Sequence, residues 1–242
     1  MLSVCLASHN GERYIRQQLE SILCQLEPAD EVIISDDSST DATLEIVRAL
    51  HDPRIRIYPD NRFYSPIFNF ENALRQAPGD IIILADQDDI WLPNKVAVIR
   101  EHFALKTTPV YLLVLDAEVI DEAGHLLHAS LFKTFRRFGP GLAANIFDNS
   151  YIGCCMAFSR ELLPYALPFP RHIPMHDMWL GLLAELYGTS KFVPVTTLRY
   201  RKHSGSTTDF PIRFMPWTQI KRRFWLLWCL AGRYISIWLK SR

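Results

Sequence analysis

One stretch constrains the fold more than any other: Ile81-Ile82-Ile83-Leu84-Ala85-Asp86-Gln87-Asp88-Asp89-Ile90-Trp91, where four large aliphatic residues give way to three carboxylates within four positions. A short apolar run closed by polar punctuation has the character of a parallel strand covered on both faces. Open α/β sheets bind ligands just beyond the carboxyl ends of such strands, so carboxylates there stand at a ligand-binding edge. Asp is a hard oxygen donor, and one or two carboxylates with substrate phosphate oxygens are the usual way to hold Mg or Mn. A plain acidic turn leading into the helix that Pro93 opens is the competing reading, and the stretch alone leaves both open.

The preceding residues alternate strand and helix. Leu2 to Ala7 is a strand pattern, followed by the polar loop Ser8-His9-Asn10-Gly11 and a helix with Ile15, Leu19, Ile22, Leu23 and Leu26 at helical spacing. A second strand, Glu31 to Ser35, runs into Asp36-Asp37-Ser38-Ser39-Thr40-Asp41, where Ser38 and Asp41 have capping-box spacing, and a helix with Leu44, Val47 and Leu50 follows. A strand at Arg54 to Tyr58 and a helix from Phe68 to Ala77 lead to the strand 80–85. This order predicts right-handed crossovers and a mostly parallel α/β sheet, with the polar loops converging on one edge. No G-x-G-x-x-G follows a strand and no G-x-x-x-x-G-K-[ST] occurs, which argues against a Rossmann dinucleotide site and a P-loop.

Ser8-His9-Asn10-Gly11-Glu12, the Asp36 to Asp41 turn and Asp86-Gln87-Asp88-Asp89-Ile90-Trp91 together resemble three successive motifs of the family-2 glycosyltransferases, in the bacterial rhamnosyltransferase-like branch. The resemblance implies the GT-A fold over residues 2 to 205, an inverting transfer, and a nucleoside diphosphate sugar donor linked to dTDP or UDP. Carried over by position, Ser8, Asn10, Asp36, Asp37 and Asp86 hold the donor nucleotide, and Asp88 holds the divalent cation, Mg or Mn. His176-Asp177 matches the family's H-D pair, which makes Asp177 the catalytic base. From the residues alone, Asp177 before the apolar pattern Trp179, Leu182, Leu183, Leu186 is equally a helix N-cap. Gly153-Cys154-Cys155-Met156, within a strand expected over Tyr151 to Phe158, resembles the segment lining the acceptor side, to which Gly153, Cys154 and Trp179 are assigned. Tyr200-Arg201-Lys202-His203 resembles the Y-R-x-H close of the catalytic domain, with His203 a second candidate metal ligand; the Ser204-Gly205-Ser206 that follows departs from the family pattern.

Elsewhere in the second half, Pro93 opens a helix carrying Val96, Ile99, Phe103 and Leu105, Val110 to Leu115 is an apolar strand, and Asp121 to Gly124 is a turn. Residues 129 to 148 show no clear period, and Arg136, Arg137, Gly139 and Pro140 are read as a loop. Strands are expected at Lys191 to Val195 and Thr197 to Arg201.

Composition enters at the C-terminus. The net charge of zero conceals seven Lys or Arg and no acidic residue in 213–242, leaving 19 basic against 26 acidic residues in the first 212. The division expected is a glycosyltransferase domain over 1–212, with 1–105 its nucleotide-binding half and 106–212 its acceptor half, and a basic amphipathic tail over 213–242. The tail holds four of the six Trp among basic residues, which fits a helix lying on the inner membrane surface, while packing on the domain is the alternative. The expected acceptor is a lipid-linked or surface glycan; nucleic acid is not an expected partner. Five Cys without a C-x-x-C pair, and a start directly on a strand, fit a cytoplasmic chain without a secretory signal. The rivals are a sugar nucleotidyltransferase, which would want a glycine-rich, basic first loop, and an inactive carbohydrate-binding relative of the same fold.

Overall fold

A computed structural model of the chain describes residues 1–135, 138, 139, 141–203 and 216–240, with side chains of the last segment described from 223 to 239. In chain order the elements are β1 (Leu2–Ser8), α1 (Ile15–Leu23), β2 (Glu31–Asp36), α2 (Thr43–Arg48), β3 (Ile55–Tyr58), α3 (Pro66–Arg75), β4 (Ile81–Asp86) and the two-residue β5 (Ile90–Trp91). Then come α4 (Lys95–Ala104), β6 (Tyr111–Ile120), β7 (Leu126–His128), α5 (Leu131–Thr134), α6 (Leu142–Phe147), β8 (Met156–Ser159), α7 (Leu163–Ala166), α8 (His176–Tyr187), β9 (Thr189–Arg201) and α9 (Pro216–Lys240).

The strands form one mixed sheet in the order β3-β2-β1-β4-β8-β6-β9-β5, with β7 on β6. From β3 to β4 every pairing is parallel, as the strand and helix alternation requires. Beyond β4 the sheet changes character, because β8 runs antiparallel to both β4 and β6. β1, β2 and the interior of β4 are buried on both faces, which is why they read as continuous apolar runs and not as alternating ones. Register does the functional work: Ser8 pairs with Asp36 and Ala7 with Asp86, so the loops after β1, β2 and β4 leave the sheet at one edge.

Several local expectations change. The capping box does not form: Ser38, at φ 60, donates to the carbonyl of Asn61, and Asp41 accepts from the Thr43 amide at 3.0 Å. Pro93 lies in a turn, and α4 begins two residues later at Lys95. Tyr151 to Phe158 is not one strand, since Gly153–Cys155 is a 3-10 turn that hands over to β8. The two strands expected at 191–195 and 197–201 are halves of β9, whose partners jump from Val193 to Thr196 between Leu115 and Asp116. Pro194 sits in that irregularity, where a missing N–H breaks no ladder bond. Within 129–148, α5 and α6 flank the residues read as a loop; Arg136, Arg137 and Pro140 lie outside the described residues, as does Ser204-Gly205-Ser206.

The tail is a 25-residue helix, α9, and it is joined to the body. Leu226 is fully buried and Leu230 nearly so, and Arg233 donates to the carbonyl of Leu167 at 2.7 Å and to that of Pro168. The turns between them leave Phe224, Leu227, Trp228, Tyr234, Ile235 and Leu239 exposed. Spacing of three and four therefore splits the helix into a docked stripe and an apolar exposed stripe. Among the described residues no helix is long and apolar enough to cross a membrane. The side chains of Trp217, Lys221, Arg222 and Lys240 lie outside the described set.

Candidate active site

The edge where β1, β2 and β4 end opens into a cleft of about 530 Å³, whose walls include Ser8, Asp37, Tyr64, Asp86 and Asp88 from the first half and Gly153, His176, Asp177, Tyr200 and His203 from the second. Its first wall is a clasp between the loops. Gln87 accepts from the His9 amide at 3.0 Å and donates to the His9 carbonyl at 2.9 Å. A Cβ at Gly11 would stand 2.3 Å from the Gln87 amide oxygen, so a side chain there would push Gln87 out of this clasp.

Asp36 is fully buried and accepts from Ser8 Oγ at 2.8 Å, the Ser39 amide at 2.9 Å and Ser39 Oγ at 2.6 Å. It organises the turn and does not line the cleft, whereas Ser8 does. Asn10, at φ 48, accepts from the Thr40 amide at 2.8 Å and likewise ties loop to loop outside the cleft lining. Asp37 reaches the cleft and accepts from the Phe63 amide at 2.6 Å and the Ser65 amide at 3.1 Å. Those bonds hold Tyr64 at the mouth, 80% exposed and at φ 50, a conformation that aromatic residues rarely adopt.

The acidic cluster divides by depth. Asp86 and Asp88 are half-buried and face the cleft, while Asp89 is buried and accepts from the Arg201 amide at 3.0 Å. The other Asp89 oxygen has no hydrogen-bond partner among the described residues. Burial, then the charges of Asp88 and Asp177, push the Asp86 carboxyl up to about 7, and burial with Asp88 and Asp86 pushes Asp89 well above the carboxylate range. Arg201 anchors the turn by donating to the Asp88 carbonyl at 2.9 Å and to Gln17 Oε1 at 3.0 Å, its guanidinium lying 4.7 Å from the Tyr14 ring centre. His203 Nε2 is 2.7 Å from Asp88 Oδ2.

These contacts allow a test of cation fit. Asp86, Asp88 and His203 present hard oxygen and imidazole donors to the cleft, and the mutual repulsion that raises Asp86 is what a divalent ion would relieve. Asp86, Asp89 and Cys154 also bring donor atoms within 4.8 Å of one another. That second group lies deeper. Its Cys154 thiol is pushed up by the hydrogen bond to Cys155 and by burial, which keeps it protonated and a poor ligand. The cleft-facing set thus offers the harder donors that suit Mg or Mn, while the deeper group is the one among the described residues whose donor atoms are gathered within 4.8 Å.

Asp177 is the second residue of α8 and not its N-cap, which is Met175. It accepts from the adjacent Met178 amide at 2.5 Å and faces the cleft from the first turn of the helix. His176 beside it is buried, stacked on Phe70 at 4.2 Å, and held down to about 3 by burial, hence neutral. Neither ring nitrogen has a partner among the described residues, yet the side chain lines the cleft.

The acceptor-side expectations fare unequally. Gly153 lines the cleft, and a Cβ there would come within 3.1 Å of His176 Nε2. Cys154 is buried below it, its carbonyl accepting from Lys95 Nζ at 2.7 Å. Trp179 does not face the cleft: it is fully buried, and its indole N–H donates to the Ala166 carbonyl at 3.1 Å. It is part of the helical stripe that packs α8. Lys95 carries no role in the sequence reading, and Arg201 and Asp89 enter it only as members of their motifs; Lys95 stands four residues before Ile99 on the stripe of α4 that faces the core.

A mixed sheet with a switch from parallel to antiparallel strands and an acidic cleft at its carboxyl edge is the GT-A arrangement. The glycosyl transferase family 2 profile matches residues 3–164, and the chain belongs to that family. Among its relatives, dTDP-rhamnosyl transferase RfbG of Shigella flexneri is 37% identical over 225 residues, covering 86% of this chain and 75% of that one. The UDP-Glc:alpha-D-GlcNAc-diphosphoundecaprenol beta-1,3-glucosyltransferase WfgD of Escherichia coli is 27% identical over 187 residues, covering 76% and 70%. The chain spans 53% of the length of another relative, the uncharacterized glycosyltransferase alr2836 of Nostoc. Two solved structures share the fold: S. aureus TarS 1-349 with UDP-GlcNAc, with TM-score 0.70, 19% identity, and 97% and 72% coverage, and the Pyrobaculum calidifontis mannosyltransferase PcManGT with GDP-Man and Mn2+, with TM-score 0.61, 19% identity, and 97% and 64% coverage.

Proposed function

We propose that the protein is an inverting, divalent-cation-dependent glycosyltransferase that moves a sugar from a dTDP- or UDP-linked donor to a hydroxyl of a lipid-linked or surface glycan. The observation that carries this reading is the convergence of Asp86 and Asp88, at the end of β4, with Asp177 of α8, at least 89 residues further on, on one cleft and close enough for Asp88 and Asp177 to raise Asp86. Rhamnose is the donor sugar favoured by the 37% identity to RfbG, and a diphosphate lipid-linked acceptor is favoured by the likeness to WfgD.

In this mechanism the first half holds the donor. Ser8 and Asp37 meet the nucleoside, and Asp36 and Asn10 act through them by fixing the two loops. Asp86 and Asp88, with His203, would hold Mg or Mn, which supplies charge neutralisation at the diphosphate leaving group. Asp177 takes the proton from the acceptor hydroxyl as that oxygen attacks the anomeric carbon on the face opposite the diphosphate, so configuration inverts in one displacement. His176 stays neutral against Phe70 beside Asp177, and Gly153 leaves room for its ring. The exposed apolar stripe of α9, in a segment with no acidic residue, holds the enzyme against an anionic bilayer, which we place on the cytoplasmic side.

The test is transfer from dTDP- and UDP-sugars to a lipid-linked glycan with and without Mn, with the anomeric configuration of the product read by NMR. Retained configuration rejects the single displacement, and full activity in excess chelator rejects the cation.

A further inference from the structure

Between α9 and the segment 164–172 runs a second concavity, of about 800 Å³, lined by Tyr165, Leu167, Phe169, Trp225, Trp228 and Ile237. Its size falls in the range of about 300–1,000 Å³ typical of small-molecule sites, but its wall is apolar and aromatic, with no acidic side chain. It is a built feature. Arg233 ties both sides together through the Leu167 and Pro168 carbonyls, and His172 packs on Trp225 at 4.9 Å.

The groove and the reaction cleft lie on either side of the first turn of α8. Trp179 donates to Ala166 just behind the groove wall and lies 5.7 Å under the Arg233 guanidinium, while Asp177, two residues earlier in α8, faces the cleft. Groove and base thus flank the first turn of one helix, about 10 Å across. The chain between them carries the exposed Arg171 and His172. An apolar slot, then a guanidinium and an imidazole, then a general base is complementary to a molecule with an apolar chain, a phosphate and a sugar hydroxyl.

We propose that this groove binds the isoprenoid chain of a diphosphate-linked acceptor, with Arg171 and His172 meeting the diphosphate and the sugar hydroxyl reaching Asp177. The inference rests on the lipid-linked acceptor of the function given above and assigns that acceptor its path. A bilayer contact is the role of the exposed stripe carrying Phe224, Leu227 and Ile235; the groove beside it is an open trough along α9, which we assign to a single chain. Because Trp228 belongs to both, a chain drawn from the bilayer meets the groove at the membrane surface.

The probe is farnesyl diphosphate below its micelle concentration, with binding read by quenching of tryptophan fluorescence in the full-length protein. Saturable binding is expected, weakened about tenfold or more by Gly232→Phe, since a side chain at Gly232 projects into open groove space without meeting any atom within 4 Å. Ser236→Phe, from the next turn of the same wall, is the second variant and should act alike. Inorganic diphosphate should bind at least about tenfold more weakly than the farnesyl compound. Both variants should keep wild-type binding to anionic phosphatidylglycerol vesicles and to dTDP or UDP with Mn. Absence of farnesyl diphosphate binding, or binding unchanged in both variants, overturns the proposal; so does a groove occupied by a second copy, seen as a wild-type dimer that both variants make monomeric. Nucleotide binding is measured on the same samples, so failure of the groove is distinguishable from failure of the glycosyltransferase reading.

Discussion

At the scale of single residues, the base and its neighbours make separable predictions. Asp177→Asn keeps the size of the side chain and loses the proton acceptor, so transfer should fall by about two to four orders of magnitude while donor binding and Tm hold. A variant with wild-type turnover would reassign the base. Lys95 is the opposite case, since nothing places it in contact with substrate. It is fully buried, donates to the Cys154 carbonyl and sits 4.6 Å from the centre of the Trp91 ring, close enough to Asp86 and Asp89 to offset their charge. Lys95→Met should cost about 1–3 kcal/mol in urea unfolding, because it strands the buried Cys154 carbonyl. An unchanged midpoint would mean that another donor takes over that carbonyl. The placement of Asp86, Asp88 and Asp177 on one cleft was legible in the sequence because motifs set them at a strand or helix end. The sequence hid the roles of Asp36 and Asn10 as loop ties and of Trp179 as core, because those depend on which way a side chain points after the chain has turned. Lys95 was hidden for a different reason: a lysine on an apolar stripe is ordinarily a solvated neighbour.

At the scale of elements, α9 joins two functions that can be pulled apart by face. Leu226 is fully buried, so Leu226→Ala should lower stability by about 2–5 kcal/mol, read as a drop in Tm or urea midpoint. Phe224 and Leu227 are 62% and 49% exposed, so changing both to Ser should leave Tm nearly constant while weakening binding to phosphatidylglycerol vesicles in co-sedimentation. The reverse pattern, stable Leu226→Ala and unstable Phe224→Ser/Leu227→Ser, would place the helix the other way round. Removing 213–242 is therefore a poor test of membrane binding, since it also uncovers the surface beneath Leu226 and Leu230. The sequence showed the tail to be amphipathic and basic, but a helix with apolar residues on both sides leaves open which stripe meets the protein. The parallel β1 to β4 region was legible because each strand is followed by a helix of its own period. β8 was not, since its antiparallel course is set by partners far away in the chain, and the bulge at Pro194 looked like a gap between two strands.

At the scale of the whole molecule, the sheet gathers negative charge at one edge, and that arrangement links pH, cation and stability. Asp86 has its carboxyl raised from 3.8 to about 7 by burial and by Asp88 and Asp177. Its folded form therefore holds a proton that the unfolded chain has released, and the stability this contributes is fully present below 3.8 and lost as pH rises through about 7. A divalent ion held by Asp86 and Asp88 competes with that proton. The rise in Tm on adding saturating Mn should thus be small near about pH 5.5 and grow toward about pH 8, approaching the effect of roughly 2.7 kcal/mol expected when ligand is present at 100 times its Kd. Asp88→Asn should remove most of this increment at the higher pH, because one of the cleft-facing oxygens is lost, while the Mn-free pH dependence becomes shallower as Asp86 loses a repelling neighbour. A Mn increment that is equal at both pH values, or one that survives in Asp88→Asn, would locate the cation away from this edge and break the link between the acidic cluster and the reaction.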